Sequence, residues 1–228
     1  FTNFVNNGGV LIAFRPPSNI ASLFGLSFTG GTRTNQYLSI TTGSGPGAGI
    51  VSQTIQYKGT ADRAVISSGS GATSIARIFS TASSITSNEA ITRRNVGSNG
   101  GKAIAFLFDL NTSIIQTRQG NPAWVGQDRD GVGGIRTNDL FFGSGWIDFN
   151  RVQIPNADEL QRLLANIILQ SNSHRKPLPR FWYLPGEHKA AVVMAGDDHG
   201  SGGTVERFNH LKSCLLYTSP SPRDRQKS

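Results

Sequence analysis

The sequence predicts a three-layer α/β domain, and three observations carry that expectation. The run Val10-Leu11-Ile12-Ala13-Phe14, bounded by Gly8-Gly9 and Arg15-Pro16-Pro17, reads as a fully buried, parallel strand. A second apolar run, Ala103 to Phe108, repeats that signal. Residues 157–169 carry Leu160, Leu163, Leu164, Ile167 and Ile168 on one helical face, the stripe of a helix packed on a sheet.

Local signals order the remaining elements. Phe1 to Val5 reads as the end of a helix, stopped by Asn6-Asn7-Gly8-Gly9. Ser18 is placed as the cap of a short helix, Asn19 to Phe24, with Gly25 just past its end. Ser52 to Tyr57, Thr73 to Phe79 and Ala90 to Arg94 are candidate strands, and Gly97 to Gly101 a turn. Asp109 is expected to cap a helix running to about Gln119. Residues 120–150 are rich in loops and anchored by Trp124, Phe141-Phe142 and Trp146. These aromatics either hold the loop on the core or stack on sugar rings. Asp158 and Glu159 suit the first turn of the last helix. Asn172 to Pro179 reads as a linker, followed by a strand, Lys189 to Met194.

The segment Cys214 to Asp224 resembles a translated library adapter, and 214–228 is excluded from fold reasoning. Arg223, Arg225 and Lys227 against Asp224 account for two of the chain's +8 charges, leaving +6 on residues 1–213. Those cations are scattered, unlike a nucleic-acid footprint. Without Cys214 the chain has no cysteine, which excludes disulfides and thiolate metal sites. No apolar run reaches the roughly 18 residues that span a bilayer. The Gly/Ser/Thr/Asn-rich composition favours an extracellular or periplasmic setting. Gly43 to Gly49 lacks the Gly-Lys-Ser/Thr ending of a phosphate loop. Asp128, Asp130 and Gly131 lack the spacing and terminal Glu of a calcium loop.

The chemistry-bearing feature is Asp197-Asp198-His199 at the end of the strand 189–194. Strand C-terminal ends hold the active sites of α/β folds. Two adjacent carboxylates there favour a bound cation. A solvated acidic turn is the alternative. Met194-Ala195-Gly196-Asp197-Asp198-His199 resembles the first motif of the polysaccharide deacetylase family. The resemblance implies Asp197 as general base, Asp198 as a ligand of zinc or a similar divalent metal, and a carbohydrate substrate whose acetamide is hydrolysed. His199 has no place in that motif and is a further candidate ligand, a neighbour of the ligands or a surface residue. The family's His-(Ser/Thr)-x-x-His motif does not occur before Ser213, so residues 1–213 are expected to be inactive and to bind metal weakly.

Residues 1–172 resemble a degenerate class I glutamine amidotransferase-like, flavodoxin-like domain lacking its first strands. Gly8 to Phe14, Lys58 to Arg63, the strand after Gly100-Gly101 and the last helix carry this resemblance. An active member needs a cysteine at the strand–helix turn, where this chain has Arg15-Pro16-Pro17. Ser18 has no histidine before His174 to activate it. The whole pattern, including Arg118 to Trp124 and Pro177 to Tyr183, resembles a group of bacterial proteins that join such a domain to a deacetylase-like one. The expected organisation is therefore 1–172 amidotransferase-like, 173–188 linker, 189–213 start of a deacetylase-like α/β barrel, and 214–228 adapter. The implied function is a metal-dependent carbohydrate deacetylase with a non-catalytic accessory domain. The alternative is a carbohydrate-binding or scaffold protein with both domains degenerate.

Overall fold

The computed structural model describes residues 1–143, 145–173 and 202–213. The chain divides into two compact units, Phe1–Leu178 and Pro179–Ser228. In the second, the described part is one helix, α5 (Gly203–Ser213). The strand expected over 189–194 and Asp197, Asp198 and His199 lie outside the described residues, as does the segment 214–228.

The first unit is a mixed α/β domain. Its elements run α1 (Thr2–Asn6), β1 (Val10–Phe14), α2 (Ala21–Phe24), β2 (Leu26–Thr34), β3 (Tyr37–Ile40), β4 (Ile55–Gln56), β5 (Thr60–Ile66), β6 (Ala72–Phe79), β7 (Ile85–Val96), β8 (Gly101–Phe106), α3 (Leu110–Gln119) and α4 (Asn156–Asn172). Six strands form one sheet in the order β1-β8-β7-β6-β3-β4, and β2 pairs with β5 in a separate ribbon.

β8 explains the layering. Ile104 and Phe106, with Phe108 just beyond, enter a core that also holds Leu160, Leu163 and Ile167 of α4. Ala103, Ala105 and Leu107 enter a second core with Val5, Phe24 and Leu26. The strand is apolar on both faces because both are covered, which is why its sequence does not alternate. The ribbon joins the sheet where Asp62 N donates to Leu107 O at 2.7 Å and Asp109 N to Thr60 O at 2.9 Å.

The described strands do not show a flavodoxin-like, doubly wound sheet. β1 and β8 run parallel, while the other described pairs are antiparallel. β1 is also not fully buried. It is the edge strand of the described sheet, and Phe14 is 47% exposed. Ser18 does not cap α2. It opens a short 3-10 turn after Pro17, with no side-chain capping bond. Gly25 does end α2, with φ 68°. Asp109 caps α3 through Oδ1, which accepts from Thr112 N at 2.9 Å. The strand expected over 52–57 is only β4, and β2, β3, β5 and α5 were not foreseen.

Candidate functional site

A cleft of about 260 Å³ opens between the end of β4, α3, the loop 141–155 and the start of α4. Lys58 stands at its base. The lysine is 2% exposed, yet it belongs to the turn between β4 and β5. Ser113 of α3 holds that turn. Its Oγ accepts from Lys58 N at 3.0 Å and lies 2.8 Å from Lys58 O and 2.7 Å from Asp109 O, either of which takes its single proton. Gly59 follows with φ 80°, and a Cβ there would lie 3.0 Å from the Thr112 methyl. The tight approach of turn to helix therefore needs glycine.

The Lys58 ammonium donates to the Trp146 carbonyl and lies 4.3 Å from the centroid of the Trp146 ring. Burial pushes its pKa down to about 8, because desolvation disfavours the charged form. Trp146 meets Trp124 edge-to-face at 5.2 Å and 61°, and Arg129 lies 4.2 Å from the Trp124 centroid. Trp146 thus anchors the loop and also lines the cleft. Its indole Nε1 is buried with no hydrogen-bond partner among the described residues, as is Asn156 Oδ1 at the first residue of α4.

The cleft's remaining polar wall is built from Asp148. Its backbone N donates to Gln56 Oε1 at 2.9 Å, and its Oδ2 accepts from the Tyr37 hydroxyl at 3.2 Å and pairs with Arg151 at 3.4 Å. Burial, then the Asp148 charge, raises the Tyr37 pKa. Among the described residues, no Ser, Cys or His lines the cleft.

Arg15 follows β1 with φ 47°, a strained value for a residue with a Cβ. Its Nε and NH2 donate to Asp62 Oδ2 and Oδ1 at 2.9 and 2.7 Å. The position carries a locked ion pair rather than a reactive group.

Asp128, Asp130 and Asp139 place one carboxylate oxygen each within 4.8 Å of one another. Asp139 Oδ1 accepts from Arg129 N and Asp130 N, and Oδ2 from Arg136 N, at 2.6 to 2.8 Å. Those N–H groups, that of Arg136 foremost, hold its pKa below the usual carboxylate value. Asp130 pairs with Arg136 at 2.7 Å, and Asp128 accepts from Gly134 N at 3.0 Å. These carboxylates organise the loop.

Sequence reasoning had singled out Trp146 and Phe141, and both line the cleft. It treated Lys58 only as part of a longer segment and passed over Asp148 and Asn156. A buried lysine leaves no periodic signature, and its partner lies 88 residues away.

No known family model and no curated protein matches this chain. Solved structures give partial likenesses. A carbohydrate deacetylase, Agd3, aligns at 24% identity over 49% of this chain and 17% of its own, with a TM-score of 0.37. The β-galactosidase from Rahnella sp. R3 aligns at 15% identity over 47% of this chain and 17% of its own, TM-score 0.38. That from Bacillus circulans sp. alkalophilus aligns at 11% over 51% and 20%, TM-score 0.36. The chain thus spans no more than 20% of any of these three neighbours, and at such scores none assigns it an activity. No helix among the described residues is long and apolar enough to cross a membrane.

Proposed function

We propose that the first unit is a non-catalytic carbohydrate-binding module of a metal-dependent carbohydrate deacetylase working outside the cytoplasm. The observation that carries the binding role is the cleft. An indole and a phenyl ring stand beside buried polar atoms that lack partners among the described residues. Sugars present apolar C–H faces to aromatic rings and hydroxyls to such polar atoms. The amidotransferase-like ancestry is part of the same proposal. Its support is the parallel β1–β8 pair and the strained Arg15 at the turn that follows β1.

The catalytic role rests on Asp197 as general base, with Asp198 and His199 as ligands of a divalent metal. The metal would polarise the acetamide carbonyl. What supports it is the deacetylase-like motif that follows the apolar run 189–194 in the sequence.

Affinity electrophoresis of the chain through gels containing acidic and neutral polysaccharides tests the binding role. Retardation that Trp146→Ala abolishes is expected; unretarded migration in every gel contradicts it. For the catalytic role, a gene product extended through a His-(Ser/Thr)-x-x-His motif should release acetate from N-acetylated oligosaccharides. Asp197→Asn should abolish that release, and undiminished release would exclude Asp197 as the base.

A further inference from the structure

The cleft holds a charge that the described residues do not balance. Its charged side chains are Lys58, Arg118, Asp148, Arg151 and Asp158. Asp148 is paired with Arg151 and Asp158 with Arg118. Lys58 is the remaining cation, the most deeply buried of the five, and no carboxylate pairs with it among the described residues. An ammonium has three donors, and the Trp146 carbonyl engages one.

A second buried donor belongs to Trp146, which also lines the cleft. Trp146 is 8% exposed, and its indole N–H has no acceptor among the described residues. Buried polar groups are nearly always hydrogen-bonded, and a buried charge is normally paired. An unpaired ammonium and an unsatisfied indole N–H together fit an acceptor of negative charge. The start of α4 borders the same cavity, and a helix N-terminus favours an anion. Asn156 Oδ1, an acceptor without a partner, asks for the opposite, a hydroxyl proton. A ligand that meets all three groups bears a carboxylate and hydroxyls on one body. The cavity, about 260 Å³, sits just below the range of roughly 300–1,000 Å³ common for small-molecule sites, which suits one ring.

We propose that this cleft binds a hexuronic acid residue, its carboxylate on Lys58 Nζ and Trp146 Nε1 and a ring hydroxyl on Asn156 Oδ1. The proposal rests on the carbohydrate-binding reading and names the sugar class for it.

The test follows the Trp146 indole N–H resonance of the full chain by ¹H–¹⁵N NMR, assigned through Trp146→Phe. The probes are sodium glucuronate, glucose, sodium acetate and inorganic phosphate. Glucuronate is expected to move the resonance saturably, with an affinity at least about tenfold above the other three. Lys58→Met should remove that preference while the amide spectrum stays dispersed. Should this variant not fold, titration of the unaltered chain at pH 7 and pH 9.5 takes its place, with weaker glucuronate binding expected at the higher pH. Glucose binding as tightly as glucuronate overturns the charge assignment but leaves the carbohydrate module standing. Acetate or phosphate matching glucuronate makes the cleft a simple anion site and overturns the sugar assignment. No shift with any probe overturns both.

Discussion

Lys58 meets Trp146 twice, through a hydrogen bond to its carbonyl and through the face of its ring, with 4.3 Å from Nζ to centroid. The backbone contact fixes where the loop returns to the sheet. The ring contact covers an ammonium that the fold has taken out of water. The charge is a cost to folding and an asset in binding an anion.

That cost has a pH signature. Burial lowers the Lys58 pKa to about 8 from 10.5, so between those values the unfolded chain holds the proton more firmly than the folded one. The penalty is fully present below about pH 8 and is relieved as pH rises toward 10.5. Its size is on the order of 3 kcal/mol. Lys58→Met, which keeps the volume without the charge, is expected to melt higher than the unaltered protein at pH 7, with the gap closing near pH 10. Thermal melts across that range check it. A gap independent of pH would mean that the ammonium is not desolvated.

Ser113 is expected to matter more than an exposed serine. Ser113→Ala leaves Lys58 N–H without its acceptor in a fully buried place, which costs about 1–3 kcal/mol. Denaturant midpoints measure the loss, and hydrogen exchange at the Lys58 amide should quicken. An unchanged midpoint would show that the turn is held by other contacts.

Arg15 separates strain from pairing. Arg15→Ala and Arg15→Gly both remove the bond to Asp62, but only glycine relieves φ 47°. The glycine variant is expected to be the more stable by about 1 kcal/mol. The pair itself is partly exposed and contributes no more than about 1 kcal/mol. Equal stability of the two variants would argue against strain at this turn.

Asp139 is the pin of the loop 129–139. Its pKa is depressed, so its contribution is present above the ordinary carboxylate range and is lost as pH falls through the lowered folded value. The loop should therefore resist protease at pH 5 and yield only in strong acid, whereas Asp139→Ala should be cut there at neutral pH. Added calcium should protect neither form, since backbone N–H groups already engage both Asp139 oxygens. Calcium-dependent protection would turn the cluster into a cation site.

Elements with a local signature were legible in the sequence. The run 103–108 declared a strand covered on both faces, the leucine stripe declared α4, and Asp109 and Gly25 marked helix ends. β2 and β5 were not legible. β2 is mostly exposed and carries Gly30-Gly31, so it shows neither an apolar run nor a clean alternation. β1 was misplaced because an apolar run signals burial, whereas here it forms the half-exposed edge of the described sheet. The cleft was the least legible part. It brings residue 58 to residue 146 and residue 56 to residue 148, and nothing in local composition encodes such long-range pairing. Asp197, Asp198 and His199 remain a sequence-level proposal outside the described residues.

The central claim is that a buried, charged Lys58 recruits an anionic sugar. Calorimetric titration of the full chain with glucuronate at pH 7 and pH 9.5 tests it most directly. With a Lys58 pKa of about 8, raising the pH to 9.5 should weaken binding by at least about tenfold, because the ammonium is then mostly neutral. Equal affinity at the two pH values would contradict the account.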